Sequence, residues 1–274
     1  MSQCPDAFNR QTSATPTITE LAHPLTRAAG AMARLDEVAA SHPLRPAFLY
    51  RTRLDAVRRQ AAVDGMAIDP WHLAAILEGL RLRMDGALRI IDRGAIFDAA
   101  RHALLQHQWL TEPNFDQEEI VHQAEAVLAT AGVGQTPLLA AADGIRAWID
   151  RGGDRPPARS ALVRYWRKTG VLRLPIPITG AAAFGADVSW KASVWIPAFL
   201  SSLAKEAEDW LDLLIALERA WFSACAKVAG RRRNSHCHVA EIDRTADPVI
   251  AMGYNCQELR TVSETLESRW RRCR

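Results

Sequence analysis

Apolar residues in this chain return every three or four positions, over and over, and almost nowhere every second one. Leu21, Leu25, Ala28, Ala29, Met32, Leu35, Val38 and Ala39 form one such stripe, and Leu203, Ala207, Trp210, Leu211, Leu214, Leu217 and Trp221 form another. That spacing puts them on one face of an α-helix, whereas a half-buried strand needs strict alternation. Further runs cover Phe48–Ala61, Trp71–Met84, Ile96–Trp109, Phe115–Ala131, Leu138–Ile149, Ser160–Thr169 and Trp190–Ala229. Asp69-Pro70 and Thr136-Pro137 read as helix starts, because an N-cap acceptor followed by Pro suits the first turn. The expected class is all-α, a multi-helix globular body. Leu172–Ser189 is the exception: Pro175, Pro177, Gly180 and Gly185 predict irregular chain there.

With 274 residues, 49% of them apolar and a formal charge of +3, the chain is long enough for one or two domains with buried cores. Composition shifts divide it into a leader at 1–19, a helical domain at 20–112, a second at 113–230 and a basic C-terminal segment at 231–274. The most apolar stretch, Leu172–Leu203, is broken by Pro175, Pro177, Asp187, Lys191 and Pro197. A bilayer span needs about 20 uninterrupted apolar residues, so this stretch reads as core and no membrane partner is expected. The nine tryptophans read as packing residues between helices. Cys4, Cys225, Cys237, Cys256 and Cys273 are odd in number, and Met1–Gln11 carries no apolar signal core. A reducing, cytoplasmic setting follows.

Signatures of catalysis are missing. The sequence has no Walker A loop, no G-x-S-x-G elbow and no H-E-x-x-H helix. His102 and His107 are five apart and do not share a helix face, and the adjacent Glu118 and Glu119 diverge on a helix into solvent. Cys225, His236, Cys237, His238 and Cys256 match no zinc spacing. No catalytic residue, metal or cofactor is expected.

Arginine is the one clustered signal. Arg151, Arg155, Arg159, Arg164, Arg167, Lys168 and Arg173 crowd a short region, and Arg231-Arg232-Arg233 forms a second group. Arg269, Arg271, Arg272 and Arg274 form a third. Guanidinium forks suit phosphate oxygens. Three places resemble the small-residue/glycine core of a helix-turn-helix: Ala75/Gly79, Ala140/Gly144 and Ala226/Gly230. Each has a polar or charged residue (Asp85, Asp150, His236) where an apolar one must be buried, so none is intact.

The stretches Pro43–Arg51, Arg53–Gly65, Ile68–Ala74, Glu218–Phe222 and Ala229–His236 resemble a rhizobial, α-proteobacterial family of proteins in which a domain of unknown function precedes a C-terminal helix-turn-helix. The resemblance covers most of 30–236. It implies a DNA-associated regulatory protein. Double-stranded DNA would be its partner, Arg231, Arg232 and Arg233 its phosphate contacts, and Arg159, Arg164, Arg167 and Lys168 a secondary basic cluster. After His236 this chain departs from the family pattern. A truncated or frameshifted copy, defective in reading DNA, is the expectation. The alternatives are a helical protein-interaction module or homo-oligomer without a nucleic-acid role, or an enzyme with an unrecognised site.

Overall fold

A computed structural model describes residues 16–66, 68–69, 73–74, 77, 90–111, 119–132, 134–185 and 188–234. The leader up to 15, most of Trp71–Met84, the expected boundary at 112–114 and the segment beyond 234 lie outside the described residues. Among the described residues seven bounded α-helices follow one another: α1 (Ile18–Ala40), α2 (Arg45–Val63), α3 (Ile90–Thr111), α4 (Glu119–Thr130), α5 (Pro137–Asp150), α6 (Arg155–Lys168) and α7 (Ala192–Asn234). A short 3₁₀ turn, Ala181–Phe184, precedes α7. Among the described residues there is no strand, so the all-α expectation holds. No described helix is long and apolar enough to cross a membrane.

Local chemistry explains where the helices begin. At α1, Thr17 and Glu20 cap each other: the Thr17 amide donates to Glu20 Oε2 at 2.7 Å, and the Glu20 amide donates to Thr17 Oγ1 at 3.4 Å. Two otherwise orphaned donors are satisfied this way. α5 begins at Pro137 as its sequence predicts, although the Thr136 side chain makes no capping bond. The start of α6 lies further upstream than the sequence suggests. Asp154 occupies the cap position and Pro156 and Pro157 fall in the first turn. Proline costs little there, because first-turn amides have no intrahelical acceptor.

Most of both stripes is buried, and they face each other; Ala29 and Val38 of the first are exposed. Met32, Leu35 and Ala39 of α1 have no exposure, nor have Leu203, Ala207 and Trp210 of α7. The pairing of α1 with α7 is the most extensive among the described helices, and α4 packs on both α5 and α6. One cluster of buried residues runs from Leu21 to Leu217. Each fully buried leucine in it is worth about 1.5–3 kcal/mol of transfer free energy.

The irregular stretch after α6 is tied down by tryptophans. Trp166 Nε1 donates to the Ile178 carbonyl at 2.8 Å, and Trp195 Nε1 donates to the Ala183 carbonyl at 2.9 Å. Phe184 sits edge-on to Trp190, Trp195 and Phe199, with centroids 5.9, 6.1 and 6.3 Å away. Tryptophan therefore acts here as the packing residue the sequence indicates.

Candidate functional site

The buried stripe of α7 ends at Leu217, and Trp221 still packs partly against the core. Beyond it Phe222, Ser223, Cys225, Ala226 and Lys227 are exposed, and the helix continues to Asn234. At about 1.5 Å per residue, this final stretch runs roughly 20 Å past Trp221. Arg231, Arg232 and Arg233 occupy its last turn, where partial negative charge on free carbonyls favours cations. Their backbone is helical, and their side chains lie outside the described residues. His236, Cys237, His238 and Cys256 also lie outside, and no group of three metal-ligating side chains occurs among the described residues.

The second basic cluster divides. Arg164, Arg167 and Lys168 line a groove of about 580 Å³ together with Arg173, His122 and Glu125. Glu125, on α4, is nearly buried and holds two of these cations: Lys168 Nζ lies 2.7 Å from Oε1, and Arg164 Nη1 lies 3.9 Å from Oε2. His122 Nδ1 is 3.5 Å from Glu125 Oε2. Arg173 donates from Nε to Asp36 Oδ2 at 2.7 Å and from Nη2 to Glu37 Oε2 at 2.6 Å. Asp36 also accepts the amides of Arg173 and Leu174. Arg167 is exposed and makes no ion pair among the described residues.

Arg159 does not belong to this groove. Its side chain has no exposure, and it donates from Nη1 to Asp64 Oδ1 at 3.0 Å while Nη2 binds Oδ2. The guanidinium also lies over the Phe184 ring, 5.5 Å from its centroid. It is a core ion pair and is out of reach of any external phosphate. Helical spacing accounts for the separation: five residues rotate Arg159 about 140° from Arg164, toward the interior. Its neighbours Ala158, Ser160, Ala161 and Leu162, all buried, were the available signal.

A buried polar network surrounds Arg159, and no motif in the sequence announces it. His102 Nε2 lies 3.5 Å from Asp64 Oδ2. Burial pushes the Asp64 carboxyl up, but hydrogen bonds from His102 and Arg159 outweigh it, and the net shift is downward. Burial lowers Arg159, partly offset by Asp64. Across the core, Glu206 Oε2 accepts the amides of Thr179 at 2.8 Å and Gly180 at 2.6 Å. Burial raises its pKa to about 7 against those two bonds. A signal for Glu206 existed: it lies three residues after Leu203 and four before Trp210, on the buried face of α7. His107 is half-buried, and desolvation, with Arg53 nearby, lowers its pKa to about 4.

The buried network has the groups of an acid–base site, but Glu206 and Arg159 are enclosed, and Asp64 is engaged by Arg159. The groove at the end of α6 is the place where several cations gather on the described surface. Comparison with known proteins found no matching family model, no matching curated protein and no matching solved structure.

Proposed function

We propose that this chain is a cytoplasmic, DNA-associated regulatory protein whose helical body presents the basic end of α7 to duplex phosphate. The observation that carries the reading is that α7 turns exposed after Trp221, from Phe222 to Lys227, while its helical backbone runs on to place Arg231, Arg232 and Arg233 in the last turn. A helix held by a packed core along its first turns can carry charge at its far end to a polyanion without disturbing the fold. The resemblance to the rhizobial helix-turn-helix family supports the same partner.

Each neutralised phosphate releases counterions, so duplex affinity falls steeply with salt. The test is duplex binding by fluorescence anisotropy across a salt series. Replacing Arg231, Arg232 and Arg233 together by Ala reduces the slope of log affinity against log salt by up to about three. Binding with no salt dependence, or unchanged by the triple replacement, overturns the reading.

A second reading rests on Ile215 and Phe222. They are 37% and 51% exposed and seven residues apart on α7. Apolar side chains two turns apart on one helix suit a partner helix or a second copy of the chain. Concentration-dependent mass in solution, lost in Phe222→Glu, favours this reading.

A further inference from the structure

We propose that the groove between α4 and the C-terminal end of α6 binds a small oligophosphate, with Arg167 as its principal contact. The inference does not depend on the α7 arginines. The cavity of about 580 Å³ suits a phosphate chain. The cations come from two separate elements, Arg164, Arg167 and Lys168 from α6 and Arg173 from the chain after it. A linear anion with several tetrahedral groups can meet both, whereas a single carboxylate cannot.

The acids near the groove do not cancel it. Glu125 and Asp36 are nearly buried, with side-chain exposures of 8% and 7%, and both spend their charge holding cations in place. Glu37 is the exposed acid at the rim. Counting these three carboxylates against four cations leaves one positive charge in surplus, and Arg167 has no ion-pair partner among the described residues to give up. Arg173 uses Nε and Nη2 on its acids, and its fork has five N–H donors in total. Cations fixed by carboxylates lose less side-chain freedom when an anion arrives.

The end of a helix normally repels anions, and here three of its last carbonyls are already engaged by the closing turn. The Tyr165 carbonyl accepts the Thr169 amide and hydroxyl, the Arg167 carbonyl accepts the Gly170 amide, and the Trp166 carbonyl accepts the Leu172 amide. Gly170, at φ +73°, makes this closing turn, and the space where a Cβ would stand is open.

Titration with tripolyphosphate at constant ionic strength, read by calorimetry, tests the proposal on the full chain. Wild type binds it, and Arg167→Ala weakens binding by about tenfold or more, the scale of one charge-assisted hydrogen bond. Arg101→Ala removes an equal charge from the exposed surface of α3 and leaves affinity within about twofold. Equal loss in both variants, or no binding by wild type, overturns the groove as a site. Displacement of tripolyphosphate by a short duplex, with Arg167→Ala weakening duplex binding equally, assigns the groove to the DNA surface and overturns the small ligand. The Arg231/Arg232/Arg233 triple replacement leaves tripolyphosphate binding unchanged, which separates this outcome from that of the duplex experiment.

Discussion

Arg159 and Asp64, 95 residues apart in the chain, meet as a guanidinium fork on a carboxylate inside the body. Arg159 on α6 thereby locks the turn that follows α2. Removing one partner leaves the other charge buried and unpaired. We expect Asp64→Asn to cost about 3–5 kcal/mol in chemical denaturation. Combined with Arg159→Met, the cost falls below the sum of the two single changes, because the stranded charge is gone. Because the Asp64 carboxyl is held below its ordinary value, its stabilisation is present at neutral pH and is lost as pH falls through the folded-state pKa. Additive single effects would show that the fork does not act as one element.

Glu206 produces the opposite pH dependence. Burial raises its carboxyl from an ordinary value of 4.5 to about 7, so the folded chain holds the proton more tightly than the unfolded one. Its contribution is favourable at low pH, starts to fall above the unfolded value and is fully lost above about 7. The total loss is at most about 3–4 kcal/mol, because each tenfold change in proton affinity is worth about 1.4 kcal/mol. Glu206→Gln keeps an oxygen for the Thr179 and Gly180 amides and has no charge to bury. Its stability relative to wild type therefore rises between pH 4.5 and 7. Parallel pH curves for the two proteins would count against a buried titrating carboxyl.

His107 acts on the acid side. Burial, with Arg53 adding repulsion, holds the folded imidazole near 4, while the unfolded one titrates near 6.5. Unfolding takes up a proton between those values, so stability declines as pH falls from 6.5 to 4. His107→Leu flattens that decline in urea-melting series. An unchanged decline would place the acid sensitivity elsewhere, with Asp64 as the first candidate.

Gly144 gives a purely steric prediction. It lies within α5, where a Cβ would stand 2.8 Å from Leu128 Cα on α4. Backbone cannot yield as a side-chain tip can, so Gly144→Ala separates the helices and costs about 1–3 kcal/mol despite alanine's better helix propensity. A thermal melt at or above that of wild type would show that the two helices slide apart freely.

The legible part of the fold was its periodicity. Spacing alone picks out the buried stripes on α1 and α7, and Pro and Gly mark the irregular stretch around Ile176 and Ile178. Ala140/Gly144 was legible as a pattern, and only the close approach of Leu128 shows why glycine is there. The site was less readable, because arginines cluster in sequence without clustering in space. Arg159 and Arg167 sit eight residues apart on one helix, yet one pairs with Asp64 inside while the other faces solvent. Which acid reaches which arginine depends on long-range contacts, such as Arg173 with Asp36, that no local spacing encodes.

Because the described core's grip on α7 ends with Leu217 and Trp221, the exposed turns from Phe222 to Lys227 are a handle and the packed helices are the hand. A protease nicking near Cys225 would remove the handle and leave the packing seam with α1 closed. Whatever is grafted there inherits a rigid mount whose bearing is set further upstream, by tryptophan and leucine side chains that never meet the cargo.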